Sequence, residues 1–219
     1  MPLKLNGSTS GFTQLSAPAV AGNNTLTLPT GSGTGGQVVQ TDGAGTLSFV
    51  NDAGALFYRL NADLAGANVT TAQNIFGVGV TLAGSTVYQF DSVILMTKTA
   101  GATSHTIGTG FGGTATVNNI GYSAQGTANS TNPTYQANYG DAVTTSTANQ
   151  TITGALSSAT MYAVLKLRGT VSINAGGTFI PQYTLSAAPG GAYSTLTGSY
   201  IRFVPIGTAG SNSSQGTWS

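Results

Sequence analysis

What most restricts this chain is a rhythm: short runs in which apolar and hydroxyl side chains alternate, each closed by glycine, proline or asparagine. Residues 23–51 show it three times over, in "NNTLTLPTGSGTGGQVVQTDGAGTLSFVN". Successive side chains of a strand point to opposite faces, so a period of two builds a half-buried sheet. In "TLTLP" the leucines Leu26 and Leu28 share one face, and Thr25 and Thr27 share the other. "QTDGAGTLSF" is a hairpin signal, because Asp42-Gly43 supplies the positive backbone angles of a tight turn.

Helices are the alternative, and composition argues against them. Charged residues make up 5% of the chain, six Lys and Arg against five Asp, with no glutamate at all. Surface helices cover their outer face largely with glutamate and lysine. Disorder is the other alternative for a chain rich in Gly, Ser, Thr and Asn. It goes with low hydrophobicity and high net charge, whereas this chain is 40% hydrophobic with nine Tyr, eight Phe and a net charge of +1. A dozen buried large side chains, at roughly 1.5–3 kcal/mol each, supply a core that rivals the ordering entropy.

Near-zero net charge suits a protein crowded among copies of itself, since long-range repulsion keeps free monomers apart. Six dispersed basic residues give no electrostatic footprint for nucleic acid. The absence of cysteine excludes disulfides, thiolate catalysis and cysteine metal sites. "MPLKLNGSTS" carries no apolar run of a signal peptide, and no window approaches a membrane span. The expectation is a protein made in a cytosol, without membrane insertion.

Two units are expected. Residues 1–55 hold short segments, "LKLNG", "FTQLSAP", "NTLTLP", "GQVVQTD" and "GTLSFVN". So small a sheet is marginal alone in water, and the unit is expected to lean on copies of itself. Leu26, Leu28, Val38 and Leu47 are its candidate assembly contacts, joined by Trp218, the lone tryptophan, in the Gly/Ser-rich ending "GTAGSNSSQGTWS". Residues 56–219 carry longer strands, including "TVYQFDSVILMTK" (86–98), whose apolar second half reads as covered on both faces. "TMYAVLKLRGTVSIN" (160–174) is expected to pair through "AGG" with "GTFIPQYTLSAA" (177–188), and "ANVTTAQNIF" has room for one helical turn. Eight or more strands without helical periodicity predict an all-β fold: a short-strand N-terminal module, then a jelly-roll-like β-sandwich.

Chemistry is scarce. His105 is the single histidine, in "GATSHTIG". A general base needs an orienting carboxylate and a nucleophile in reach, and the plainer reading is a strand-end histidine bonding its neighbours. The aspartates show no suggestive pair spacing for glycosidase work. "GSGTGG" (31–36) lacks the Gly-Lys-Ser/Thr ending of a phosphate loop and reads as a turn. No catalytic residue, metal site or cofactor is expected, and the protein is not expected to be an enzyme. Lys166 and Arg168 alternate with Leu165 and Leu167, so both cations leave one strand face, with Arg202 on the last strand. They read as a solvated sheet face, as partners of Asp91, or as a polar ring around a three-fold axis. The polar segment 123–147 reads as a loop and is the recognition candidate. There Tyr135 and Tyr139 stand among amides such as Gln136 and Asn138, a combination that stacks on sugar C–H faces and bonds their hydroxyls.

"LKLNGSTSGFTQLSAPAVAGNNTLTLPTGSGTGGQVVQTDGAGTLSFV" resembles a module of structural proteins of tailed bacteriophages, especially those of marine bacteria and cyanobacteria. "NVTTAQNIFGVGVTL", "TVYQFDSVILM", "GATSHTIGTGFGGTAT", "GTVSINAGGTFIPQYT" and "GSYIRFVPIG" are similar to the β-sandwich domains of such virion proteins, so the resemblance spans nearly the whole chain. It implies a homotrimeric virion component with a jelly-roll tip: a tail fibre, a head fibre or a capsid-decorating protein. The implied partners are sister copies, other virion proteins and a host-surface glycan or protein. A fibre that attaches to the host is the leading expectation, and a cement protein that stabilises capsid or tail is the alternative. The resemblance carries over no site residue.

Overall fold

The computed structural model describes residues 3–6, 8–15, 23, 25–33, 37–42, 44–51, 54–130 and 137–210. All regular structure among them is β, and none of it is helical. The chain divides into two compact units, Met1–Ala53 and Gly54–Ser219.

The first unit holds two separate antiparallel hairpins. β1 (Leu3–Asn6) pairs β2 (Phe12–Leu15), and β3 (Gln37–Thr41) pairs β4 (Leu47–Asn51). The turn between β3 and β4 is held by Asp42, whose Oδ1 accepts the amides of Ala44 at 2.7 Å and Thr46 at 3.0 Å. "TLTLP" is not a ladder strand. It touches the hairpin through one parallel bridge, Thr27 to Thr46, with Leu47 N donating to Thr27 O at 2.8 Å.

The second unit contains β5 (Leu56–Arg59), β6 (Leu64–Ala65), β7 (Gln73–Asn74), β8 (Val80–Leu82), β9 (Thr86–Lys98), β10 (Ile107–Gly112) and β11 (Thr116–Asn129). Then follow β12 (Ala137–Thr144), β13 (Gln150–Thr151), β14 (Met161–Ala175), β15 (Gly177–Leu185), β16 (Ser194–Thr195) and β17 (Tyr200–Thr208). They form two antiparallel sheets. The larger runs β12-β11-β14-β9, and beyond β9 both β17, carrying β5, and β16, carrying β6, pair with it. The smaller runs β13-β10-β15, with β7 and β8 both on β15.

The two sheets lie face to face across an aromatic cluster. Phe90 and Tyr122 from the large sheet meet Phe111 of the small one, at 5.3 and 5.2 Å between ring centres. Phe111 stacks on Phe179 at 4.6 Å, and Phe179 meets Phe203 edge-on at 5.9 Å. Aliphatic side chains such as Ile94, Leu165, Leu167, Val171, Ile107 and Leu185 surround these rings, all buried. Their inward positions follow the period of two read from the sequence.

The second unit departs from the sequence reading in four places. β14 and β15 are not a hairpin: the chain changes sheet at Ala175–Gly177, so the two strands face each other as layers. Each has one apolar face, a pattern that neighbours in one sheet and partners across two sheets share equally. "TVYQFDSVILMTK" is β9, but only one of its faces is buried, since Asp91, Val93, Leu95 and Thr97 are half-exposed. The segment read as a polar loop from 123 is mostly a hairpin arm, because β11 runs to Asn129 and β12 starts at Ala137. Its inward positions are Ala124, Gly126 and Ala128, too small to register as an apolar alternation. In "ANVTTAQNIF" there is a tight turn, with Gly77 N bonded to Asn74 O, and no helical turn.

Two glycines explain how the sandwich closes along one edge. Gly126 and Gly140 are register partners on β11 and β12. A Cβ on either would lie 2.2 or 2.5 Å from the carbonyl oxygen of Ile152, which crosses above them. Backbone rests on backbone there, which only glycine allows.

Candidate functional site

The outer face of the large sheet collects most of the charge. Strand register sets two rows across it. One row reads Val143, Ser123, Arg168, Asp91, Arg202 and Phe57. The next reads Asp141, Gln125, Lys166, Val93, Tyr200 and Arg59. Four of the six basic residues of the chain therefore stand on one face, against two aspartates.

Of the three readings of these cations, pairing with Asp91 holds for Arg202 alone. Its Nη2 lies 2.8 Å and its Nε 2.9 Å from Asp91 Oδ1. Arg59 donates to Asn61 Oδ1 at 2.6 Å. Lys166 and Arg168 make no hydrogen bond or ion pair with a described residue, and both are exposed. They flank a polar cleft of about 400 Å³ lined also by Ser123, Gln125, Asp91, Val93 and Tyr200.

A second feature is an apolar cleft lined by Leu56, Phe57, Tyr58, Phe76, Val78 and Ile201, among others. All four residues of β5 are exposed, and Phe57 remains 57% so even though its ring stacks on Tyr200 at 5.7 Å. Among the described strands β5 pairs only with β17, so one of its edges is open.

A third feature is internal. His105, Lys98 and Tyr193 are all buried and adjoin one another. The Thr103 carbonyl, 2.8 Å from His105 Nδ1, can only accept, so Nδ1 carries the proton. Nε2 then accepts from the Tyr193 hydroxyl at 2.9 Å. Burial holds the imidazole below its ordinary pKa, and the Lys98 charge adds to that, while the Thr103 carbonyl opposes it. Lys98 Nζ is within reach of four backbone carbonyls, Gly101 and Ser158 at 2.5 Å, Ala159 at 3.2 Å and Ala100 at 3.4 Å. These bonds tie the loops at 99–104 and 156–160 together. Both ring nitrogens of His105 serve the fold, as the plainer sequence reading had it.

The candidates named from sequence fall as follows. Leu26, Leu28 and Val38 are exposed, 66%, 73% and 43%, while Leu47 is half-buried. Tyr135, Gln136 and Trp218 lie outside the described residues. Asn138 and Tyr139 lie in β12, and their side chains are outside the description. Among the described residues no group of three or more His, Asp or Glu is placed to hold a metal, and no helix is long and apolar enough to cross a membrane. Sequence reasoning found Lys166 and Arg168 but missed Val93 and Tyr200. Those two join the cations only through the pairing of β9 with β14 and β17, which no local pattern announces.

No family model matches the chain, and no curated protein matches it either. A comparison with solved structures gives a chain from the structure of infectious bursal disease virus Gx strain, at 10% identity and a TM-score of 0.15. The match covers 89% of this chain and 47% of that one, so this chain spans under half its length. So low a TM-score carries no argument about fold or function.

Proposed function

We propose that the protein is a structural component of a bacteriophage particle, a homotrimeric fibre-type appendage with a jelly-roll-like head. The observation that carries this reading is the apolar surface left open on both units. In the first unit Leu26, Leu28, Val38 and Val39 are exposed although the unit has few large side chains to bury. In the second, Leu56, Phe57 and Tyr58 stand open on an edge strand. Apolar side chains presented this way mark contact surfaces, and a near-neutral chain offers little charge repulsion to sister copies. The resemblance to phage structural proteins supplies the kind of assembly. In this reading the first unit anchors to the particle and the second faces the host surface, where several weak contacts add up across copies.

The test is the mass of the purified full chain in solution, followed by electron microscopy of particles carrying a labelled copy. Three copies on a projecting appendage are expected. A monomer with no place on a particle overturns the proposal. Flat assemblies on the capsid, whose loss lowers particle heat resistance, would replace the fibre by a cement protein.

A further inference from the structure

Lys166 and Arg168, which pair with no described residue, have a chemistry of their own. We propose that the cleft between Lys166, Arg168 and Tyr200 binds an acidic sugar, a pyranose bearing a carboxylate.

Lys166 and Arg168 leave β14 two residues apart on one face, about 6.6 Å from Cα to Cα. Neither is neutralised by a described acid. Asp91, the carboxylate beside Arg168 in its row, is engaged by Arg202 from the far side. Asp141 stands at the end of the other row, with Gln125 between it and Lys166. A guanidinium presents a planar fork matched to the two oxygens of a carboxylate, and the ammonium adds a second, more adaptable donor. The anion would therefore sit at Arg168 and Lys166.

The remaining lining suits a hydroxylated ring. Ser123 offers a hydroxyl on the β11 side, with Gln125 lining the cleft beside it, and Tyr200 offers a phenol and an aromatic face on the β17 side. Val93 lies between Lys166 and Tyr200 in the same row, an apolar floor for the C–H face of a pyranose. A cleft of about 400 Å³ is near the lower end for small-molecule sites, which is room for one or two sugar rings. Bare phosphate would leave Tyr200 and Val93 unused. A nucleic acid would need a longer basic track than two neighbouring cations provide. The ligand site depends on this one sheet face, and its failure would leave the assembly reading intact, since mass and particle location judge that.

The full chain should be titrated with glucuronate- and galacturonate-terminated trisaccharides, the matched neutral trisaccharides, and inorganic phosphate. Binding is followed by calorimetry and by amide shifts in NMR spectra. The acidic trisaccharides should bind, shift the amides of Ser123, Gln125 and Tyr200, and weaken as salt is raised. Arg168→Gln should weaken them about tenfold or more, Lys166→Gln less, and Arg59→Gln hardly at all. Matching unfolding curves for the variants show that the fold is kept, and the wild-type shift map reports the site without any variant. Equal binding of neutral and acidic trisaccharides, phosphate binding as tightly as the uronates, shifts elsewhere on the protein, or an unaffected Arg168→Gln would each overturn the proposal.

Discussion

Phe90 and Tyr122 lie on strands separated by β14, yet their rings approach to 5.9 Å between centres because Gly169 stands between them in the row. A Cβ at Gly169 would meet the Tyr122 Cβ at 2.4 Å and the Gly121 carbonyl oxygen at 2.2 Å. A side chain here must push apart the aromatic cluster that joins the sheets. Gly169→Val is expected to destabilise the second unit by about 1–3 kcal/mol or more. Urea unfolding followed by near-ultraviolet circular dichroism checks it, and an unchanged midpoint would mean the cluster yields more easily than its close contacts suggest.

Lys98 donates only to backbone carbonyls, and no described carboxylate pairs with it. Lys98→Met keeps much of the side-chain volume but strips those carbonyls of their donor. The expected cost is about 1–3 kcal/mol, with faster amide exchange in residues 99–104 and 156–160. A variant as stable as the parent would show that water serves those carbonyls equally well.

Acid should weaken the fold through His105. Its folded pKa lies below the ordinary 6.5, so the unfolded chain takes up the proton first as pH falls. Stability is complete above about 6.5 and declines below it, until the folded histidine also titrates. A melting temperature followed from pH 8 to 5 should fall below about 6.5, and His105→Gln should flatten that fall.

Alkali should act through tyrosine. Burial pushes Tyr122 and Tyr183 from 10.0 up to about 12, and it raises Tyr193 as well. Unfolded tyrosines release protons near 10 while the folded ones hold theirs, so stability is whole below 10 and is lost as pH climbs towards 12. Phenolate absorbance from these three should therefore appear in step with unfolding. Phenolate signal from Tyr122, Tyr183 and Tyr193 in the still-folded protein near pH 10 would contradict the burial described.

Leu26 and Leu28 flank Thr27, the residue that bridges to Thr46, and their own side chains are exposed. Replacing both with asparagine should leave a lone chain no less soluble while lowering association. Sedimentation at several concentrations measures it, and unchanged association would move the contact to β5 or elsewhere.

Much of this architecture is legible in the sequence. Period-two alternation marks β14, where Leu165 and Leu167 alternate with Lys166 and Arg168. The nearly continuous apolar second half of β9 suggests two covered faces, whereas only one is buried. The β11–β12 arm escaped because a strand facing its partner layer with Ala124, Gly126 and Ala128 looks, residue by residue, like a loop. The sheet change between β14 and β15 escaped for a different reason. Amphipathic alternation states which face is buried but not which neighbour lies alongside. For the polar cleft, the two cations on β14 could be seen to share a face, whereas Val93 and Tyr200 reached them only through register with strands far away in sequence.

The contact of the Ile152 carbonyl with Gly126 and Gly140 divides the β11–β12 arm by how much change it can bear. At the seam even a methyl group is too large, so the root of the arm is frozen. Further out on β11 Ala128 is again fully buried, so altered side chains belong at the outward-facing Thr127 and not at Ala128. A designer wishing to retarget this scaffold would leave the two glycines and Ala128 alone and change only the side chains that face outward.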